Sequence, residues 1–233
     1  TDIDKKALEK TKDNFQNKFG RDVVQSIVMD VTNEIEVKKA VDESINSFGG
    51  IDILVANAGF ASAAPFENTS SKLWDKNMAV LSKGCFLISR EVYAQMMKQN
   101  MGGSIIFISS KNSLSASKGA SAYSVAKSSL LHLSRSIALE GAEYKIRSNI
   151  VNPDAVIQNS RIWSSDWKKQ RAAGNKISIN KVEEFYKNRS LLKVSVLPED
   201  IAEGIYFFAS SKSKKSTGNI INIDGGNITS FTR

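Results

Sequence analysis

Apolar positions along the chain follow two rhythms that alternate from end to end. Short unbroken runs rich in β-branched and aromatic residues occupy 23–29, 51–56, 104–108, 147–151 and 219–223, the pattern of strands buried on both faces. Between them, apolar residues recur every three or four positions over Lys5–Phe19, 35–48, 70–99 and 199–210, which predicts helices carrying one apolar stripe. In the long helix that begins at Ser121 the stripe is Ala122, Val125, Ala126, Leu130, Leu133, Ile137 and Ala138. Gly20 ends the first helix, and Asn33 or Thr32 offers an oxygen to cap the second. Strands separated by ten or more helical residues need right-handed crossovers and therefore a parallel sheet. The predicted class is α/β, a doubly wound parallel sheet in one domain over residues 1–233. Thr1-Asp2-Ile3-Asp4 leads straight into a helix, so the chain is expected to open mid-fold.

One stretch breaks the rhythm. Residues 154–197 are long for a connection, and such segments in compact domains are usually functional or disordered. Trp163, Trp167, Phe185 and Tyr186 can wall a pocket there, and Arg161, Arg171 and Arg189 can grip a carboxylate or phosphate with paired N–H donors. The competing reading is a local aromatic core with solvated arginines.

Composition narrows the classes. With 233 residues and 41% hydrophobic content, the chain can bury a sizeable core. Its net charge of +8 is spread along helices without a nucleic-acid reader motif, so solvated faces explain it better than a nucleic-acid partner. No apolar run approaches the ~20 residues of a membrane-spanning helix. The single cysteine, Cys85, points to a reducing, cytoplasmic setting and reads as a small buried apolar residue. His132 is the only histidine, which excludes a metal site built on several histidines; packing or subunit contact is the expected role.

Chemistry concentrates around one strand and the helix after it. Ser109-Ser110-Lys111 follow the run 104–108, and Tyr123 and Lys127 lie one turn apart on the next helix. Ligands of open parallel sheets bind at the carboxyl edge of the strands, so Ser110 is placed to hold a substrate oxygen. An unperturbed phenol ionises near pH ~10, and an ammonium one turn away favours the phenolate. Tyr123 can then exchange a proton with that oxygen. Alone, the same spacing also describes a solvated helix pair.

The surrounding motifs fall in a recognisable order. Asp30-Val31 follows one strand and Ala56-Asn57-Ala58-Gly59 the next; Ser110 stands thirteen residues before Tyr123, and Asn152-Pro153 and Asp224-Gly225-Gly226 come later. Over its whole length the chain resembles the short-chain dehydrogenase/reductase family. More narrowly, the stretches 152–165 and 191–200 look like the carboxy-terminal dehydrogenase domain of bifunctional rhamnulose-1-phosphate aldolase/lactaldehyde dehydrogenases. This resemblance implies a Rossmann-like sheet truncated at its N-terminus, because the Gly-rich turn with which family members open is missing. It implies an oxidoreductase that uses NAD rather than NADP and a small hydroxy or aldehyde compound, namely lactaldehyde from rhamnose breakdown. Ser110, Tyr123 and Lys127 would be catalytic. Asp2, Asp30, Val31, Asn57, Ala58, Gly59 and Pro153, with Tyr123 and Lys127, would touch the cofactor, Asp2 repelling a 2′-phosphate. Asp30 also suits a turn or N-cap, and Gly59 a turn with positive φ.

Arg161 and Trp163 would meet the substrate, and residues 154–197 would cover it. The resemblance further implies a homodimer or homotetramer fused to an upstream aldolase domain. The alternative, which the missing Gly-rich turn and Leu81 motivate, is an inactive module that serves the assembly of that aldolase. One residue departs from the family pattern: Leu81 stands where an Asn usually supports the proton relay, with Asn77 and Ser82 nearby.

Overall fold

The computed structural model describes residues 1–163 and 166–231; Ser164 and Ser165, part of the stretch 152–165, lie outside them. A parallel sheet of β1 (Ile53–Ala56), β2 (Gly103–Ile108), β3 (Ile146–Pro153) and β4 (Ile220–Ile223) runs in chain order. Ile105, Ile106 and Phe107 in β2 have no exposed surface, because helices cover both faces and an unbroken apolar run is what that environment demands. On one face, Val92 and Met96 of α4 (Gly84–Gln99) and Leu130 and Leu131 of α5 (Ser121–Gly141) cluster with Ile105 and Phe107. On the other, Ile201 and Phe208 of α8 (Pro198–Ala209) meet Ile106, Ile108 and Val151. The doubly wound α/β architecture is therefore the one the two rhythms predicted.

The expectation of a fold truncated at its N-terminus is corrected. Asp2 forms a parallel bridge with Val28, the Met29 N–H donates to the Asp2 carbonyl at 3.1 Å, and Asp4 caps α1 (Lys5–Phe19) by accepting from the Ala7 N–H at 3.0 Å. These first residues are thus paired with residues 28 and 29 in a bridge outside the four-stranded sheet. Of the predicted strand 23–29 only that bridge forms, after a short 3-10 turn at Arg21–Val23. α2 (Glu34–Phe48) is capped by Asn33, whose side-chain oxygen accepts from the Ile35 and Glu36 N–H groups at 3.1 and 3.3 Å.

Two further regions differ from the pattern reading. The helix expected over 70–99 consists of α3 (Ser71–Asn77), a π-helical turn at Met78–Lys83, and α4. Gly84 at the junction touches Val31 so closely that a Cβ there would stand 2.8 Å from the valine Cγ2. The segment 154–197 contains α6 (Asp166–Gly174) and α7 (Val182–Arg189). Trp163, Trp167, Val182 and Tyr186 pack in one cluster with Tyr123 and Ala126 of α5. Both helices place acidic residues in the first turn and basic residues in the last, which suits the helix dipole.

Candidate active site

The carboxyl end of β2 is fastened to α5 by the Ser109 hydroxyl, which donates to the Lys127 carbonyl at 2.9 Å. Ser110 follows in an extended conformation and opens a short 3-10 turn; its oxygen accepts from the Asn112 N–H at 3.2 Å. Tyr123 and Lys127 stand on the first two turns of α5, only 9% and 6% exposed. Burial pushes the Tyr123 phenol above its usual range, the side-chain hydrogen bond with Ser110 pulls it back, and the Asp154 carboxylate raises it further. Lys127 acts differently from the expectation that it makes the phenol acidic. Its Nζ donates to the Ile108 carbonyl at 2.7 Å, and burial lowers its own affinity for a proton. The loss of water around the phenolate form thus outweighs the hydrogen bond from Ser110, and Tyr123 holds its proton at neutral pH.

Beside this corner lies a cavity of about 1060 Å³, bounded by the first residues, α2, β1 and the start of α4. Asp2, Asp30, Val31, Asn57, Ala58 and Gly59 all line it. The Lys127 Nζ lies 4.0 Å from where a Gly59 Cβ would be, and Leu81 Cδ2 only 3.0 Å from that point. Close approach, rather than a positive φ, is what requires glycine at 59. Asp30 serves two purposes: Oδ1 accepts from the Thr32 N–H and hydroxyl, both at 2.8 Å, while the residue borders the cavity. Asp2 is exposed there, with one carboxylate oxygen accepting from the Asp4 N–H at 2.8 Å. Pro153 ends β3 opposite Ile223 and is not among the lining residues.

Leu81 has no exposed surface and fills space as hydrocarbon. Asn77 donates to the Ser62 hydroxyl at 2.9 Å and the Leu73 carbonyl at 2.7 Å, and Ser82 accepts from the Ser129 hydroxyl at 2.7 Å. Trp163 packs edge-on against Tyr186, 5.1 Å between ring centres, and Trp167 lies 5.8 Å from Tyr123. Arg161 pairs with Asp4 at 3.0 Å in an exposed position, Arg189 pairs with Asp154, and Arg171 is buried against neutral acceptors. His132 is exposed on α5. Cys85 is buried, which pushes its thiol up against the pull of Lys127. Lys111, next to Ser110 and 6% exposed, carries an ammonium that the pattern reading did not use; its Nζ donates to the Ser117 hydroxyl at 2.8 Å.

A paired phenol and hydroxyl at the carboxyl edge, next to a cavity with acidic and glycine-bearing walls, fit dinucleotide chemistry. The model of a family described as enoyl-(acyl carrier protein) reductase matches residues 1–227. The chain belongs to the short-chain dehydrogenase/reductase family. It is an NAD(P)-dependent oxidoreductase of that family. The uncharacterized oxidoreductase YuxG of Bacillus subtilis is 47% identical over 232 residues, 100% of this chain, and the chain spans 34% of that protein's length. The short-chain dehydrogenase/reductase eriH of Hericium erinaceus is 31% identical over 202 residues, 85% of this chain and 74% of its own. Among solved structures, sorbitol-6-phosphate 2-dehydrogenase SrlD from Erwinia amylovora superposes with a TM-score of 0.91 at 30% identity, covering 97% of this chain and 87% of that one.

The family match corrects the narrower resemblance. It takes in residues 1–227 as a short-chain dehydrogenase/reductase, so the wider family replaces the assignment to a truncated domain fused to an aldolase. No described helix is long and apolar enough to cross a membrane.

Proposed function

We propose that this short-chain dehydrogenase/reductase interconverts a small hydroxy compound and its carbonyl form with NAD. Lactaldehyde is the specific substrate favoured. The observation that carries the reading is the meeting of Ser110 and Tyr123 at the end of β2, beside the cavity that Asp2, Asp30 and Gly59 line. A nicotinamide dinucleotide bound in that cavity supplies or accepts the hydride. Tyr123, protonated at neutral pH, gives its proton to the carbonyl oxygen during reduction and recovers one during oxidation. Ser110 donates a hydrogen bond to the same oxygen and keeps it in line with the phenol. Lys127, whose Nζ lies beside Gly59, would hold the cofactor sugar in place.

A small substrate is supported by the walls: Trp163, Trp167 and Tyr186 close over Tyr123 and leave that ring 9% exposed. Asp2 at the cavity rim supports NAD, because a carboxylate repels the 2′-phosphate of NADP. A homodimer or homotetramer through α4 and α5 is supported by Phe86, Val125 and Leu139, which are 42%, 45% and 81% exposed. The buried single cysteine supports a cytoplasmic setting. Steady-state assay of lactaldehyde with NADH, and of propane-1,2-diol with NAD, tests the reading. Turnover by Tyr123→Phe equal to that of the unaltered chain would remove the proposed role.

A further inference from the structure

Arg171 has a placement that substrate binding does not explain. The residue is 8% exposed, and its Nε donates to the Tyr186 hydroxyl at 3.1 Å while Nη1 donates to the Lys118 carbonyl at 2.9 Å. Its guanidinium carbon lies 5.3 Å from the centre of the Trp167 ring, and that ring lies 5.8 Å from Tyr123. One side chain therefore joins α6, α7 and the loop between Ser110 and Tyr123. The loop carries the connection onward. Ser117, next to Lys118, donates to the Asn112 side-chain oxygen at 2.8 Å, and the Asn112 N–H donates to the Ser110 oxygen at 3.2 Å. Two routes thus lead from one guanidinium, through an aromatic wall to the phenol and through a turn to the hydroxyl. A guanidinium suits this task because its planar fork holds two acceptors at fixed angles while its face stacks on an indole.

We infer that Arg171 is a positioning residue: it holds the Trp167 wall and the 114–120 loop together, so that Tyr123 and Ser110 keep their mutual placement on the substrate oxygen. It acts through Trp167 and the loop and does not itself touch the substrate. This inference rests on the hydride-transfer reading above.

The test compares the unaltered chain with Arg171→Gln, Arg171→Lys and Tyr186→Phe in NADH-dependent reduction of lactaldehyde across pH, with NADH affinity measured by fluorescence titration. For Arg171→Gln, kcat should fall at least about tenfold, since small misplacements of reacting groups are costly, while NADH affinity stays within about twofold. The pH at which reduction declines should move down, because a loosened wall admits water to the phenol and relieves the burial that raises its pKa. Arg171→Lys should not restore the rate, as one ammonium cannot reproduce the two-pronged contact. Tyr186→Phe, which removes one acceptor only, should lose roughly threefold to tenfold in kcat.

Unchanged kcat and an unmoved pH profile in Arg171→Gln and Tyr186→Phe would overturn the inference. So would equal losses of rate and NADH affinity without a pH shift, the mark of general destabilisation. If Arg171→Gln does not fold, Tyr186→Phe and Arg171→Lys decide by the same criteria. No turnover by the unaltered chain would overturn the hydride reading and this inference together, whereas an active chain with indifferent variants sinks only the role of Arg171.

Discussion

The β2–α5 corner and the cavity rim beside it are built by opposite means. At the corner, Ser109, Tyr123 and Lys127 are almost fully buried, and the hydroxyl of Ser109 and ammonium of Lys127 are each committed to a main-chain carbonyl. Along the rim, Asp2, Asn57, Ala58 and Gly59 are exposed, and Ile53 and Val55 of β1 remain 47% and 38% exposed. The comparison teaches where each kind of precision comes from. The corner side chains are held by packing and by bonds to the main chain. The rim is held by turns such as the one Asp30 closes on Thr32, and it borders the cavity.

The sharpest break between the two regions is chemical. Tyr123→Phe keeps the ring that packs on Trp167 but removes the proton, so kcat should fall by about 10² to 10⁴-fold with NADH affinity unchanged. Steady-state kinetics beside a cofactor titration reads both. Equal loss of rate and affinity would erase the distinction between corner and rim. A smaller effect is expected where the regions meet. Gly84→Ala drives a Cβ to 2.8 Å from Val31 Cγ2, with the Val31 carbonyl at 3.2 Å, and should cost about 1–3 kcal/mol of stability as overpacking. Denaturant titration checks this, and an unchanged midpoint would show that the junction yields freely. Smaller again is Asp2→Ala at the rim. Relieving its repulsion of a 2′-phosphate should shift the NAD/NADP preference by about tenfold, or ~1.4 kcal/mol. The kcat/KM ratio for the two cofactors measures it, and an unmoved ratio would take Asp2 out of cofactor selection.

Much of this molecule is legible in its sequence, for reasons that also explain what is not. The run 104–108 is a strand because two-sided burial leaves no place for polar residues, and Tyr123 and Lys127 share a helical face because the helix repeat puts them one turn apart. Of the strand expected at 23–29, the single bridge between Val28 and Asp2 is what forms among the described residues. α6 and α7 are easily passed over: their surfaces are largely charged, and the few aromatics that anchor them bond across the chain rather than along it. The same distance hides the electrostatics of Tyr123. Spacing announces Lys127 as its partner, yet the Ile108 carbonyl takes that ammonium, and burial governs the phenol. Arg171 likewise reads as a free cation until the Tyr186 hydroxyl and the Lys118 carbonyl are seen around it.

The central claim is that Tyr123 works as a buried, protonated acid steadied by Ser110. Its most direct test is the pH dependence of kcat/KM for carbonyl reduction by the unaltered chain and by Ser110→Ala. Reduction should decline only as pH rises through an alkaline value, where the phenol loses its proton. In Ser110→Ala that decline should move to still higher pH, because the hydrogen bond that favours ionisation is gone. A decline near neutral pH, or one that Ser110→Ala leaves in place, would contradict the account.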